Sequence, residues 1–358
     1  MTDPSAYLPP IPPARRLGRR ALLGAAALPL LGSAALAASA DAPAAAVPAA
    51  GASAPTPTAP AASVPAASVP AASVPAAPAA APAAAPVSPG PTPQTVPWTQ
   101  EAYLKAMAAS GRPVHNQSAA EFAAIQARKP AAMKRIADYL KSRLGHADPA
   151  VMAAFEAVPR DYFHYVYSEH RATPGDAYET DPKPWAIGYG SALSDYLGQA
   201  YMTQICKPRP GEVSLEIGTG SGFQSSLLSR IVDQAYTIEI IPQLGNAVSH
   251  IFAPLGYDNV HSRVGDGYYG WPDFKGGFDI IIVTCAAQYA PPDLFAQLKP
   301  GGRMIIPIGQ PFKRGQVLYV YTRDQAGKIH SRRDMGVFFI PMTGAMMKLP
   351  HPGATHTE

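Results

Sequence analysis

The sequence predicts an α/β domain with a mostly parallel, seven-stranded sheet and an antiparallel hairpin at one edge. Three observations support this fold class. Short apolar runs alternate with helical segments after Gly211, a glycine-rich turn follows the first run, and Pro or Gly residues separate the segments. The predicted strands are residues 213–217, 235–240, 260–264, 278–284 and 303–308 in the parallel part, with 316–322 and 335–341 in the hairpin.

Helices are predicted before the sheet. Apolar residues recur at spacings of three and four between residues 101 and 143, which is typical of amphipathic helix. A further helix is predicted at 149–157, ending before a Val-Pro-Arg sequence at 158–160. Residues 167–197 are rich in Gly, Pro and Tyr, so we expect an irregular segment there.

The first forty residues have the pattern of an export signal. A basic start with Arg19-Arg20 leads into an Ala/Leu-rich run, and small-residue cleavage patterns follow near residue 40. Residues 1–40 are therefore predicted to be a twin-arginine-type signal peptide, with the twin-arginine (Tat) translocon as a transient partner. The expected location is periplasmic or secreted; a membrane-tethered protein with an uncleaved signal and a cytoplasmic protein are the alternatives.

Residues 41–97 consist almost wholly of Ala, Pro, Ser, Thr, Val and Gly. Ala-Ala-Ser-Val-Pro occurs three times in tandem, ending at Pro65, Pro70 and Pro75. Repeated prolines remove backbone donors and favour extended chain, so no packed core is expected. We predict a disordered linker at 41–97, followed by one catalytic domain at 98–358.

Composition excludes several classes of function. The formal charge of +4 is modest, and no basic run with interleaved aromatic residues appears, so nucleic acid is not an expected partner. The histidines are scattered, without an H-E-x-x-H motif or clustered spacing, so no metal site is predicted. Cys206 and Cys285 are predicted to be free, buried thiols, and the protein is expected to be a monomer.

The most specific local signal is the turn after the first strand, in which Gly218, Gly220 and Gly222 follow Glu216. The third glycine falls four residues after the first, whereas the dinucleotide fingerprint G-x-G-x-x-G needs five. The GxxxxGK[ST] phosphate loop is absent too. An E-x-G-x-G-x-G turn between strand and helix resembles the S-adenosylmethionine (AdoMet) loop of Rossmann-like methyltransferases, which gives AdoMet as the expected cofactor.

Polar residues also stand where the next strands end, at the edge where such sheets bind ligands. Glu239 closes the second strand, 17 residues past Gly222, and its carboxylate can accept both hydroxyls of a ribose. Asp266 follows the third strand and can accept from an adenine amino group, although a turn aspartate is an equal interpretation. Thr284 and Cys285 end the fourth strand and face the same crevice.

Several spaced segments together resemble the protein-L-isoaspartate (D-aspartate) O-methyltransferase family. The resemblance covers roughly residues 133–344, nearly all of the predicted folded part. It rests on Val158-Pro-Arg-Asp-Tyr-Phe163, Ile187-Gly-Tyr-Gly190, Leu215-Glu-Ile-Gly-Thr-Gly-Ser-Gly222, Gly265-Asp-Gly-Tyr268, Leu298-Lys-Pro-Gly-Gly-Arg303 and Phe339-Ile-Pro-Met-Thr343, among other segments.

The resemblance implies AdoMet-dependent methylation of the free carboxylate of an isoaspartyl residue in a damaged protein or peptide. The ester then cyclises to a succinimide without help, which restores some normal aspartate. The implied catalytic residue is Ser194. The implied cofactor residues are Glu216, Gly218, Thr219, Gly220, Gly222, Glu239, Asp266, Gly267 and Thr284, and the substrate-side residues are Ser191, Asp195, Tyr196 and Thr343.

The substrate-side motif departs from the family pattern of Gly-Gln-Thr-Ile-Ser-(Gln or Ala)-Pro. Here it is Gly190-Ser-Ala-Leu-Ser-Asp-Tyr196, so the serine is kept as Ser194 but Asp195 and Tyr196 follow it. A carboxylate beside the substrate carboxylate is expected to repel it by roughly 1 kcal/mol or more at about 4 Å.

Three hypotheses therefore stand on the sequence. The first is an isoaspartyl-type carboxyl methyltransferase, acting before or after export. The second is an AdoMet methyltransferase for a different acceptor, accommodated by the changes at Ser191–Tyr196. The third is a non-catalytic exported module that keeps the fold, since AdoMet is made in the cytoplasm.

Overall fold

The computed structural model describes residues 97–313 and 315–349. The predicted signal peptide, and the predicted linker apart from Pro97, lie outside these residues. The helices are α1 (Gln100–Ala109), α2 (Ala119–Gln126), α3 (Lys129–Leu144), α4 (Pro149–Ala157), α5 (Arg160–Phe163), α6 (Tyr196–Ile205), α7 (Phe223–Ser229), α8 (Pro242–Val248), α9 (Pro292–Gln297) and α10 (Ala345–Lys348). Within the described ranges, no helix is long and apolar enough to cross a bilayer.

Eleven strands form one large sheet and two small hairpins in the described residues. The strands are β1 (Tyr165–Val166), β2 (Arg171–Ala172), β3 (Trp185–Gly188), β4 (Ser191–Leu193), β5 (Val213–Ile217), β6 (Gln234–Glu239), β7 (Val260–Val264), β8 (Phe278–Val283), β9 (Leu298–Ile308), β10 (Gln316–Arg323) and β11 (Ile329–Val337).

The large sheet has seven strands in the order β11-β10-β9-β8-β5-β6-β7. Strands β5 to β9 are parallel, with Leu215 of β5 opposite Tyr236 on one side and Ile281 on the other. Strands β10 and β11 are antiparallel to β9 and to each other. The strand order reverses at β5, so the carboxyl ends of β5 and β8 lie at the point where such sheets bind ligands. The predicted fold class is confirmed.

Some predicted boundaries were wrong. The stretch 101–143 is three helices, because Gly111 adopts a left-handed φ of 75° and ends the first. The segment 167–197 is not irregular throughout, since it holds the β3–β4 hairpin and the start of α6. The last strand lies at 329–337, because a tight turn after Arg323 lets pairing resume with Arg323 opposite Ile329. Pro341 pairs instead with Ala286, beyond the end of β8.

Aromatic packing fixes the helix that follows the glycine-rich turn. The ring of Phe223, the first residue of α7, lies 5.9 Å from that of Phe155 in α4 and 5.2 Å from that of Phe163 in α5. All three side chains are buried. Such edge-to-face pairs stabilise beyond their buried area, so the N-terminal helices hold the glycine-rich turn in place from behind.

Cys206 and Cys285 are both free thiols, as predicted. Cys206 is fully buried, whereas Cys285 is partly exposed. Burial raises the pKa of the Cys206 thiol to about 12, so it stays protonated and unreactive near neutral pH.

A partly buried ion pair joins β9 to the segment that precedes β5. Arg303 Nη1 and Nη2 each donate to a carboxylate oxygen of Glu212 at 2.6 Å, and the guanidinium also donates to the carbonyl oxygens of Cys206 and Lys207. The two side chains are 14% and 17% exposed. Since one side chain satisfies so many acceptors, its loss leaves several of them without a partner.

We expect Arg303→Met to lower the free energy of unfolding by about 3 kcal/mol, because Glu212 is left as an unpaired, mostly buried charge. Urea unfolding of the full chain measures the change. Lys134→Met is the matched control, since the Lys134–Asp138 pair lies on the surface with side chains 77% and 56% exposed. Its effect should stay within about 0.5 kcal/mol; equal losses in the two variants would contradict the assignment.

Candidate active site

The glycine-rich turn is shaped by close contacts at two of its three glycines. Gly218, Gly220 and Gly222 have φ values of 98°, 54° and 80°, in the left-handed region that favours glycine. A Cβ on Gly218 would lie 2.6 Å from Thr284 Oγ1, and one on Gly222 would lie 2.7 Å from Ile251 Cδ1. At Gly220 the nearest atoms would be 3.8 Å away. Neighbouring side chains therefore leave no room for a side chain at Gly218 or Gly222, whereas there is space beside Gly220.

A buried hydrogen-bond network lies beneath the turn. Glu216, 1% exposed, accepts from Thr237 Oγ1 at 2.8 Å and from Ser225 Oγ with the same carboxylate oxygen. The Thr219 hydroxyl lies 2.7 Å from that of Thr237. The side chains of Glu216 and Thr219 therefore support the turn from below, and their part in binding a cofactor stays a prediction.

Burial raises the pKa of Glu216 to about 8. The hydroxyl groups of Ser225 and Thr237 act in the opposite direction, but they do not offset the loss of hydration. Glu216 is consequently a neutral carboxylic acid at pH 7.

Glu239 connects the end of β6 to the turn. Its Oε2 accepts from the backbone N–H of Gly220 at 2.9 Å, and its Oε1 accepts from that of Ile241 at 3.0 Å. Burial raises its pKa, and these backbone bonds act against that rise. Each carboxylate oxygen retains capacity for a further hydrogen bond, so Glu239 can still bind vicinal hydroxyls beside Gly220.

Asp266 lies at the end of β7 and binds the C-terminal segment. Its Oδ1 accepts from Tyr268 N at 3.0 Å and its Oδ2 from Ala345 N at 2.7 Å. A Cβ on Gly267 would lie 2.3 Å from Ile217 Cγ2, so glycine is needed for this loop to approach the end of β5. Thr343 is exposed, one residue before the left-handed Gly344 that leads into α10.

Thr284 completes the base of the site. Its hydroxyl lies 2.7 Å from the carbonyl oxygen of Gly218 and 2.9 Å from that of Ile217. The sulfur of Cys285 lies 4.0 Å from the same Ile217 oxygen. The ends of β5, β6, β7 and β8 thus converge at one edge, and the structure brings the predicted cofactor residues together there.

The β3–β4 hairpin lies over the open middle of the turn. From the position that a Cβ of Gly220 would take, Ser191 Oγ and the Ala192 carbonyl oxygen are 3.8 Å away and Ile187 Cδ1 is 3.9 Å away. Tyr189, at the tip of the hairpin, is 42% exposed with a left-handed φ of 53°. The hairpin therefore covers the cofactor side with its strands and presents an aromatic ring outside.

Ser194 follows the hairpin, and a buried arginine holds its main chain. Arg160 Nη2 donates to the Ser194 carbonyl oxygen and Nη1 to Gln199 Oε1, both at 2.7 Å. Arg160 is 2% exposed, and burial lowers its pKa to about 10, which still leaves it charged at pH 7. The Ser194 side chain is half-buried at the surface of this region.

Comparisons with known proteins agree with this geometry. The family model for protein-L-isoaspartate(D-aspartate) O-methyltransferase matches residues 131–347, more than half of the chain. The chain belongs to this family. The predictions of the family, of a Rossmann-like methyltransferase fold and of an enzyme are thereby confirmed.

Two curated relatives and one solved structure illustrate the similarity. Protein-L-isoaspartate O-methyltransferase 1 of Nitrosospira multiformis is 40% identical over 233 residues, covering 63% of this chain and 90% of the relative. Protein-L-isoaspartate O-methyltransferase 2 of Syntrophobacter fumaroxidans is 45% identical over 197 residues, covering 55% and 76%. A solved protein-L-isoaspartate O-methyltransferase superposes with a TM-score of 0.52 at 25% identity, covering 60% of this chain and 67% of its own.

The two residues that depart most from the family pattern have structural roles. Asp195 is the N-cap of α6, where its Oδ1 accepts from Gly198 N at 2.8 Å. Tyr196 is 1% exposed; its hydroxyl donates to the Glu179 carbonyl oxygen at 2.7 Å and accepts from Arg135 Nε at 2.8 Å. The predicted substrate-side role of Tyr196 was therefore wrong, because its hydroxyl is held inside the protein.

The carboxylate of Asp195 is held by the start of α6, and its charge interacts favourably with the buried Arg160. The repulsion that Asp195 is expected to exert on a substrate carboxylate stays a prediction. The sequence missed Arg160 as a functional residue, although the Val-Pro-Arg sequence within the family motif was the available signal.

Among the residues that the structure describes, no group of three or more His, Cys, Asp or Glu side chains is placed to hold a metal ion. The described histidines do not meet at the candidate site: His164 is fully buried behind it, and burial keeps its pKa well below the usual value.

The buried Glu216 predicts a pH dependence of stability. Its pKa of about 8 in the folded state exceeds the unfolded value of 4.5, so the folded protein binds the proton more tightly. Stability should then fall as the pH rises from 4.5 to about 8, by at most about 1.4 kcal/mol per pH unit from this group. Glu216→Gln cannot ionise and should lose less stability between pH 5 and pH 9 in urea unfolding.

The control for this measurement is Glu101→Gln, which changes an exposed carboxylate in the first turn of α1. It should show the same pH profile as the unchanged protein. If stability changes with pH in the same way in the unchanged protein, Glu216→Gln and Glu101→Gln, then Glu216 does not carry the predicted proton.

Proposed function

We propose that this protein transfers a methyl group from AdoMet to the free carboxylate of an L-isoaspartyl or D-aspartyl residue in a damaged protein, as a repair enzyme. The observation that carries the proposal is the approach of the β3–β4 hairpin, which leads to Ser194, to the glycine-rich turn at Gly220. There the cofactor half and the acceptor half of a transfer site meet in a member of this methyltransferase family.

The residues of the cofactor half fit AdoMet. Glu239 can accept the ribose hydroxyls, since its two oxygens stand beside the open face of the turn at Gly220. Asp266, at the neighbouring strand end, can accept from the adenine amino group with the lone pairs that Tyr268 and Ala345 leave free. When bound, AdoMet supplies an electrophilic methyl group on a sulfonium centre.

The acceptor half needs no strong base, because an isoaspartyl carboxylate is already ionised near pH 7. With AdoMet bound, one oxygen of the carboxylate would take the methyl group and S-adenosylhomocysteine would leave, so the residues of this chain would not have to move a proton. The Ser194 hydroxyl can donate to the other carboxylate oxygen and orient it. Arg160, buried directly behind Ser194, holds the serine main chain in position by donating to its carbonyl oxygen.

A different carboxylate acceptor is the second candidate, favoured by one observation. Ser191 and Ala192 replace the Gln and Thr of the family pattern, and these are the residues nearest to Gly220. The Ser191 side chain faces Gly220, and its smaller size than Gln leaves room for a different acceptor. Methanol release from isoaspartyl peptides separates the two candidates.

The cofactor and the acceptor halves are tested by a pair of variants. Glu239→Gln should raise the AdoMet dissociation constant at least about tenfold in calorimetric titration, equivalent to about 1.4 kcal/mol, because it loses charge and one acceptor. Ser194→Ala should leave that constant within about twofold but lower methyl transfer to an isoaspartyl peptide by about tenfold or more. Release of base-labile methanol measures the transfer.

Ser249→Ala is the control, since this exposed hydroxyl donates only to the Asn246 carbonyl oxygen on α8. If the unchanged protein binds AdoMet but isoaspartyl peptides yield no methanol, the second candidate replaces the first. Unchanged AdoMet binding in Glu239→Gln would contradict the assignment of Glu239 as a cofactor residue.

We also propose that the chain is exported to the periplasm or secreted by a twin-arginine pathway. The support is the Arg19-Arg20 pair before an apolar run and a small-residue cleavage pattern. Since this pathway carries folded proteins, a bound cofactor could travel with the enzyme.

Replacing both Arg19 and Arg20 by Lys should retain the full chain in the cytoplasm of a host that has this pathway, because the translocon reads the arginine pair. Cell fractionation followed by immunoblotting measures the distribution. Replacing Arg15 and Arg16 by Lys is the matched control and should leave export unchanged. Cytoplasmic location of the unchanged protein would refute export.

A further inference from the structure

The segment before the family match is an ordered part of the domain. The match begins at residue 131, whereas α1 and α2 lie before it. Aromatic side chains join these helices: the ring of Tyr103 lies 6.1 Å from that of Trp98 and 6.0 Å from that of Phe122. Tyr103 is fully buried. We call residues 98–112 the N-terminal clasp.

Two polar contacts join the clasp to α5. The indole Nε1 of Trp98 donates to Asp161 Oδ2 at 2.9 Å, and Asp161 is 1% exposed. Arg112, 3% exposed, donates through Nη1 to the Tyr162 carbonyl oxygen at 3.0 Å, with its guanidinium carbon 4.2 Å from the centre of the Tyr162 ring. Buried polar groups of this kind are costly to leave unpaired, so the clasp is firmly attached to α5.

Helix α5 in turn contacts both halves of the site. Its first residue, Arg160, donates to the Ser194 carbonyl oxygen and to Gln199 of α6. Its third residue, Tyr162, donates from its hydroxyl to the Ile251 carbonyl oxygen at 3.0 Å. Ile251 is the residue that leaves no space for a side chain at Gly222. Three residues of α5 (Arg160, Asp161 and Tyr162) thus connect the clasp to the acceptor serine and to the glycine-rich turn.

We propose that Trp98 and Arg112 are positioning residues for the acceptor site. They fix α5, so that Arg160 holds the Ser194 main chain in the geometry needed to orient the substrate carboxylate. This proposal rests on the proposed function, because the position of Ser194 matters for the reaction only if Ser194 orients a substrate carboxylate. It gives the N-terminal clasp, which lies outside the family match, a role in the reaction.

Trp98→Phe in the full chain is the principal test, because it keeps an aromatic ring at this position but removes the N–H that Asp161 accepts, together with part of the indole. The KM for an isoaspartyl peptide should rise at least fivefold, while the AdoMet dissociation constant stays within twofold. Hydrogen–deuterium exchange across residues 191–199 should become at least fivefold faster. Arg112→Met should shift the same two quantities in the same direction.

Gln100→Ala is the matched control within the clasp, since its side chain donates at 2.7 Å to the carbonyl oxygen of Gln117, a residue outside α5. It should leave peptide KM and the exchange rate within twofold of the unchanged protein. Equal shifts in Gln100→Ala and Trp98→Phe would overturn the proposal, because they would reflect general loosening of the clasp.

A double-mutant cycle tests whether the effect passes through Arg160. Adding Trp98→Phe to Arg160→Lys should change kcat/KM for the peptide by less than twofold beyond Arg160→Lys alone. Should Arg160→Lys fail to fold, Gln199→Met takes its place, since it removes one of the acceptors that hold Arg160. Fully additive effects would overturn the proposal.

Failure of this inference is distinguishable from failure of the proposed function. If the unchanged protein transfers no methyl group, the proposed function fails, yet exchange at 191–199 still reports whether the clasp holds the Ser194 segment. If the unchanged protein is active and Trp98→Phe alters neither peptide KM nor exchange, the clasp is not a positioning element.

Discussion

The site depends on one constraint, which is that the glycine-rich turn after β5 comes very close to the ends of the neighbouring strands. A side chain at Gly218 would overlap Thr284 Oγ1, and one at Gly267 would overlap Ile217. Because these backbones meet without side chains between them, the N–H of Gly220 reaches the carboxylate of Glu239. The cofactor residues are thus fixed relative to each other by the sheet itself, before any ligand is bound.

Carboxylates are concentrated at the strand ends on the cofactor side of the site. Burial chiefly, and then the nearby carboxylates with Glu239 first, raise the pKa of the Cys285 thiol at the end of β8. Negative charge near these strand ends favours a sulfonium cation. On the acceptor side, the buried Arg160 fixes the Ser194 main chain, and its charge interacts with the carboxylates of Glu179 and Asp195.

The parts of the fold that the sequence predicts well are those governed by local pattern. Strand β5, which is mostly buried, agrees with its predicted bounds, because a short buried run next to a glycine-rich turn is read directly from the chain. The edge strand β11 was misplaced, since most of residues 330–334 are exposed and polar, without an alternation to mark a strand. The β3–β4 hairpin was missed because its glycine-rich tip dominates the composition of that segment.

The side-chain roles that the sequence could not give depend on partners far along the chain. Tyr196 is recognised as a core residue only through Arg135 and Glu179, which lie 61 and 17 residues before it. The pairing of Arg160 with Ser194 spans 34 residues. A motif comparison shows which residue type occupies a position but not where its side chain points. It therefore cannot distinguish a change that is buried from one that faces the substrate.

This distinction changes what the altered acceptor motif means. Asp195 and Tyr196 change how the start of α6 is held, through a helix cap and a buried hydroxyl. Ser191 lies on the hairpin above Gly220 and turns its hydroxyl toward the glycine-rich turn, whereas Ala192 presents its backbone carbonyl oxygen there. The altered motif therefore combines changes that hold the protein together with a change that faces the cofactor turn, and only the latter alters the surface on which an acceptor would lie.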